Sequence, residues 1–189
     1  VYNTLDVLGA AKQLGVPLRR SAEILRTVPH VKGRVEVVPT PGKDYTILID
    51  YAHSPDGLEN VLSSVQEFSK GRTVAVFGCG GDRDKTKRPK MGKIAAQHAD
   101  FVVVTSDNPR TEDPDAIIAD ILPGLEGSET PHIAETDRVK AIHYAMDHAQ
   151  SGDTIVLCGK GHETYQEVNH EKHHMDEREI VAEHLAAGK

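Results

Sequence analysis

Tryptophan is absent and aromatic residues fill only 4% of the 189 positions, so aliphatic side chains have to supply most of any core. Cysteine is scarce too. Cys79 and Cys158 are too few for a disulfide framework, and each ends an apolar run, where a small buried residue in a reducing compartment is expected. No stretch reaches the roughly 18 consecutive apolar residues of a membrane-spanning helix, and the start lacks the basic-then-apolar pattern of a signal peptide. The protein is therefore expected to be cytoplasmic, with no membrane partner. Its formal net charge is −7 and lysine and arginine form no block, which argues against nucleic acid as a partner. Two motifs are missing as well. Without GxxxxGKS or GxxxxGKT there is no P-loop, and without GxSxG there is no nucleophile elbow of a serine hydrolase.

What is present falls into two patterns. Residues 3–15 set Leu5, Val7, Leu8, Ala11 and Leu14 on a helical period that Gly15 and Pro17 stop, and a second short helix is expected over residues 18–27. Two such helices cannot close a core. Residues 1–32 are therefore expected to be the helical tail of an upstream domain, and residues 33–189 a domain of their own. From Arg34 onward strands alternate with helices, with strands expected at residues 35–38, 46–50, 73–77, 101–105 and 154–158. Runs such as TVAVF, FVVVT and TIVLC suit strands buried on both faces of a parallel sheet. Helix starts are marked by Ser54 with Pro55, Arg88 before Pro89, Asp113 with Pro114, and Thr136 before Asp137. The fold class expected is α/β, an open and mostly parallel sheet with helices on both faces, preceded by the short helical remnant.

Four stretches are too rich in glycine, proline and charge for helix or strand: DYAHSPD from Asp50, GCGGDRDKTKRP from Gly78, SDNPRTEDP from Ser106 and GKGHE from Gly159. Each follows an expected strand, which puts all four on the carboxyl edge of the sheet, where open α/β folds bind ligands. They bring Arg83, Lys85, Lys87 and Arg88, then Asp107 and Arg110, then Lys160, His162 and Glu163 to that edge. Mixed charge of this kind suits a zwitterion such as an amino acid. The plainer alternative is that Arg83 and Asp107 pair with each other in ordinary loops. Lys87 is expected to be solvated.

Other readings have weaker support. GCGG resembles a dinucleotide fingerprint only at its start, and a nicotinamide-dependent enzyme would need an acidic ribose ligand about 20 residues on, where Asp107 belongs to a different string. A non-catalytic amino-acid-binding module is a further alternative. His170, His173 and His174 lie together in NHEKHHMDE, but their spacing matches no closed zinc motif. That stretch is read as a solvated loop, and no metal ligand is assigned.

Taken in order, DYAHSPDGLE, FGCGGDRDKTKRPKMG, TSDNPRTEDP and GKGHETYQ closely resemble the Mur ligases, specifically the branch that adds meso-diaminopimelate to UDP-N-acetylmuramoyl-L-alanyl-D-glutamate in peptidoglycan synthesis. The likeness runs from Tyr2 nearly to Leu185. It implies the Rossmann-like carboxy-terminal domain of that family, joined to the end of the ATP-binding central domain. In such ligases ATP, with Mg²⁺ held mainly by the central domain, activates the glutamyl carboxylate of the UDP-N-acetylmuramoyl dipeptide as an acyl phosphate, which the amine of diaminopimelate attacks. The P-loop and Mg²⁺ ligands have no counterpart in these 189 residues, so the chain is expected to be inactive alone.

By the same resemblance, Arg83, Asp107, Asn108, Pro109, Arg110, Gly159 and Glu163 bind meso-diaminopimelate, and Asn3, Asp50 and His53 lie near ATP. No catalytic residue is assigned. The chemistry fits: arginines for carboxylates, Asp107 and Glu163 for an ammonium, Asn108 for a shared hydrogen bond, Gly159 for close backbone approach, Pro109 to stiffen the loop. The full string DNPR is that family's mark of diaminopimelate selection, and members that add lysine depart from it at the arginine.

Overall fold

The computed structural model describes residues 2–28 and 31–188, the side chains of Tyr2 and Asn3 excepted. The chain divides into two units, Val1–Val31 and Lys32–Lys189. In the first, α1 (Tyr2–Gln13) and α2 (Leu18–Leu25) flank Gly15, whose φ of 80° is a left-handed conformation that glycine adopts without strain. Leu5, Val7, Leu14, Leu18 and Ile24 are all exposed, as expected of two helices too small to enclose a core.

In the second unit, the chain runs β1 (Glu36–Val38), β2 (Thr46–Asp50), α3 (Pro55–Gln66), β3 (Thr73–Phe77), α4 (Lys87–His98), β4 (Phe101–Val104) and α5 (Pro114–Ile121). After a 3₁₀ turn at Leu122–Gly124 come β5 (His132–Ala134), α6 (Arg138–Asp147), β6 (Thr154–Cys158), β7 (Tyr165–Val168), β8 (Glu171–His174) and α7 (Glu177–Ala186). Six strands form one sheet in the order β1-β2-β6-β3-β4-β5, parallel except for the edge strand β1.

The apolar runs explain the layering. Along β6, Val156 and Cys158 face one side with α3, α4 and α5, while Ile155 and Leu157 face the other with α6 and α7. Every residue of β3 and β6 is buried, as a strand covered on both faces requires. Helix starts are set by side-chain caps. Ser54 Oγ accepts from the Gly57 N–H at 3.2 Å, and Asp113 Oδ1 accepts from the Asp115 N–H at 3.0 Å, each followed by a proline in the first turn. Such caps contribute about 1 kcal/mol each.

Several expectations are corrected. Val35 lies outside β1 with φ 43°, because its N–H bonds to Asp50 rather than to the ladder. Thr105 leaves β4, its N–H bonding to the Phe77 carbonyl. The α6 start marked by Thr136 and Asp137 is where expected, with Asp137 as its cap. α4 starts at Lys87, which puts Arg88 inside the helix and out of solvent, paired with Glu112 and Asp120 at 2.8 Å each. Arg88 is thus an internal brace, not an edge charge. The NHEKHHMDE stretch is no loop: most of it forms the β7–β8 hairpin, with Tyr165 opposite His174 and the turn at Asn169 and His170, both at positive φ. No described helix is long and apolar enough to cross a membrane.

Candidate amino-acid site at the carboxyl edge of the sheet

The loops after β2, β3, β4 and β6 converge because glycine lets them touch. A Cβ on Gly78 would stand 2.2 Å from the Thr105 carbonyl oxygen, and one on Gly81 would stand 1.9 Å from that of Pro109. The glycines of GCGG therefore serve the approach of one loop to the next, not a pyrophosphate. Across the same seam, the Gly81 N–H donates to the Asn108 carbonyl at 2.9 Å.

Between these loops lies a cavity of about 380 Å³, lined by Arg83, Asp107, Asn108, Arg110, Gly159, Glu163 and His53, together with Tyr51, Gly80, Asp84 and Lys87. The structure thus brings together six of the seven residues assigned to the amino acid. Pro109 is buried beside the cavity, its carbonyl accepting from the Glu112 N–H at 3.0 Å. Of the described residues assigned to ATP, His53 lines the cavity and Asp50 does not. Asp50 is turned aside, its Oδ2 accepting from the Val35 N–H at 2.8 Å, and burial pushes its carboxyl pKa up. The side chain of Asn3 lies outside the described residues.

A larger cavity, about 640 Å³, sits against α4 and the 3₁₀ turn, but all its polar lining residues, including Lys90, Lys93, Gln97 and Glu126, are exposed. In the smaller one Asp107 and Asn108 are buried at 6% and 5% exposure, so desolvated polar groups, not volume, mark the site.

The polar wall is organised by Lys160, expected only as one of the edge charges, and by Arg138 and Gln166, to which no role is given above. Lys160 is fully buried; its Nζ donates to Asn108 Oδ1 at 2.7 Å and to Glu163 Oε2 at 3.1 Å, and lies 3.8 Å from Asp107. Asn108 Nδ2 donates to the same Glu163 oxygen at 2.9 Å, which fixes the amide orientation. Arg138, also buried, donates to the carbonyls of Ser106, in the loop after β4, and Cys158, at the end of β6, and pairs with Glu177 at 2.8 Å. Gln166 Nε2 donates to Ser106 Oγ and to the Asp107 carbonyl at 2.9 and 2.7 Å.

The β7–β8 hairpin also grips the DNPR loop directly. The Arg110 N–H donates to the Glu167 carbonyl and the Asn169 N–H to that of Arg110, at 3.0 and 2.7 Å. Arg110 itself has φ 53°, a strained setting for a non-glycine residue that this clamp sustains. Its Nη1 donates to the Gly81 carbonyl at 2.8 Å and its Nε lies 3.3 Å from Glu167. Arg83 is exposed and donates to the carbonyl of Asp82; no hydrogen bond joins it to Asp107, so the loop-pair alternative fails. Lys87, expected in solvent, donates to the His53 carbonyl at 2.7 Å.

The family described as Mur ligase, glutamate ligase domain, matches residues 33–161. The chain belongs to the Mur ligases. It is 50% identical over 186 residues, 98% of its length, to UDP-N-acetylmuramoyl-L-alanyl-D-glutamate–2,6-diaminopimelate ligase of Caldanaerobacter subterraneus subsp. tengcongensis. With the ligase of that name from Nostoc sp. it shares 51% identity over 178 residues, 94% of its length. It spans only 38% and 36% of these two curated relatives. A solved structure of a UDP-N-acetylmuramoyl-L-alanyl-D-glutamate–2,6-diaminopimelate ligase matches with a TM-score of 0.77 and 40% identity, covering 96% of this chain and 37% of that one. In this Mur ligase chain the residues matched by the family, 33–161, include the loops after β2, β3 and β4 and the first residues of the loop after β6, whereas Glu163 and the hairpin that holds Arg110 lie beyond them.

Proposed function

We propose that the chain is the carboxy-terminal part of a cytoplasmic, ATP-dependent ligase of peptidoglycan synthesis, and that its cavity holds meso-diaminopimelate for addition to UDP-N-acetylmuramoyl-L-alanyl-D-glutamate. On this reading residues 1–32 are the tail of the upstream ATP-binding domain and residues 33–189 the amino-acid-binding domain. The observation that carries it is one cavity lined by Arg83 and Arg110 together with Asp107 and Glu163. Diaminopimelate is two amino-acid ends on a short chain, so it needs cationic groups for carboxylates and anionic groups for ammonium. The names of the relatives above, both 2,6-diaminopimelate ligases, support the same substrate.

The residues here do not fit ATP as its main holder. Asp50 is committed to Val35, and no glycine-rich phosphate cradle ending in lysine and serine or threonine occurs in the chain. ATP and Mg²⁺ are therefore assigned to the upstream part of the ligase. This chain's own work is positioning. Arg110 takes the distal carboxylate, Asp107 and Glu163 an ammonium, and the clamped loops hold the attacking amine near its target. Orientation of that kind supplies roughly 7–11 kcal/mol in the best intramolecular cases.

Thermal melts of the chain with meso-diaminopimelate, lysine, ATP and NAD test the reading, since a ligand that binds only the folded state raises the melting temperature. Diaminopimelate is expected to stabilise more than lysine, and NAD not at all. Stabilisation by NAD, or equal shifts with diaminopimelate and lysine, would overturn it.

A further inference from the structure

Lys160 is a cation with no exposed surface, set behind the cavity wall rather than in it. The groups facing it include Asn108 and Glu163 by hydrogen bonds, Asp107 at 3.8 Å, and the Tyr165 ring with its centroid 5.3 Å away. Arg138 adds a like charge nearby, but that charge is matched by Glu177. A buried lysine is costly unless paired, and burial does push this one's pKa down, with Asp107 and Glu163 pulling it back up. Replacing it by an apolar residue would remove the ammonium from between two carboxylates. Asn108 Oδ1 would keep only the Glu167 N–H as donor, at 2.9 Å.

Resting on the diaminopimelate reading, we infer that Lys160 is a positioning residue for the ammonium end of the substrate. It holds Asn108 and Glu163 in one arrangement and lets Asp107 and Glu163 both stand as carboxylates on the wall that receives the ammonium. It does not touch the substrate itself. The wall then carries one net negative charge, from two carboxylates and one lysine, and presents carboxylate oxygens whose orientation is set before the substrate arrives. Asp107 lines the cavity, and its Oδ1, buried on the Lys160 side, has no hydrogen-bond partner, so no donor of the protein uses up the charge of this carboxylate.

The test uses the full-length ligase containing this segment, with KM and kcat for meso-diaminopimelate measured between about pH 6.5 and 8.5. In Lys160→Met two carboxylates face each other without their cation, so one takes up a proton as the pH falls. KM is expected to start about tenfold above wild type at the acid end and to fall as pH rises, with kcat changed less. The double variant Lys160→Met/Glu163→Gln leaves only Asp107 as a carboxylate and should lose that pH dependence, although its KM stays high. Lys160→Gln, which keeps a donor for Asn108 but not the charge, should behave like the methionine variant and replaces it if that variant does not fold.

A rise in KM that is the same at every pH, or one shared identically by single and double variants, would show that Lys160 only supports the fold. A wild type that ignores diaminopimelate but uses another amino acid sinks the substrate assignment alone. The same profiles taken with that amino acid then decide the role of Lys160.

Discussion

The two edges of the sheet use the same ingredients to opposite ends. At the amino edge, before β3 and β6, Asp153 is 1% exposed and each of its oxygens accepts two hydrogen bonds. The donors are the Arg72 N–H and Nε to Oδ1, and Arg72 Nη2 and the Gln150 N–H to Oδ2. Burial alone pushes that carboxyl pKa up, but Arg72 and the two N–H groups outweigh it and hold it below the ordinary value. At the carboxyl edge Asp107 is buried too, at 6% exposure, yet its Oδ1 has no hydrogen bond and its cation stands 3.8 Å off. A closed ion pair completes a fold, whereas an incompletely satisfied carboxylate facing a cavity is available to a ligand.

Breaking the closed edge should give the largest effect on stability. Asp153→Ala leaves Arg72 and two backbone N–H groups without their acceptor, at a cost of about 2–4 kcal/mol in urea unfolding, discounted because Arg72 is partly exposed. Ligase kcat/KM below the melting temperature should stay within about twofold of wild type. A large loss of activity with little loss of stability would erase the distinction between the edges.

A smaller effect should come from the brace behind the open edge. Glu112 bonds Arg88, Lys85 and the Asp82 N–H, and the Arg88 bond above all holds its pKa down at about 2, against an ordinary value of 4.5. A depressed carboxylate contributes stability above its unfolded pKa and loses it as pH falls through the folded one. The wild-type chain should therefore lose stability between about pH 4.5 and 2, a window it shares with Glu36, held at about 2 by Arg178. Glu112→Gln should be less stable at neutral pH and show a shallower decline through that window. Parallel pH curves for the two proteins would contradict the assignment.

Local signals in the sequence were enough for much of this. The runs TVAVF and TIVLC and the capping residues Ser54 and Asp113 foretold strands and helix starts at the observed positions. So did the unusual composition of the four loops foretell the cavity, because glycine, proline and mixed charge after a strand have few structural uses. What was missed depends on partners far apart in the chain. Lys160 meets Asn108 across 52 residues, and Arg138 meets Glu177 across 39. Nothing in GKGHE or in the start of α6 says that its cation will be buried. The hairpin had a visible signal, two short runs around Asn169 and His170, but its charged and histidine-rich β8 strand, exposed at every residue, hid the strand pattern.

The central claim is that Arg110 reads a carboxylate that diaminopimelate has and lysine lacks. The most direct measurement is kcat/KM for both amino acids in the full-length ligase and in its Arg110→Ala variant. Losing a charge-assisted, partly desolvated contact costs roughly 2–5 kcal/mol, so activity with diaminopimelate should fall about 30-fold to several thousand-fold. The weak activity with lysine should change much less. Equal proportional losses with the two amino acids would mean that Arg110, through its bonds to Gly81 and Glu167, serves the loop and not the substrate.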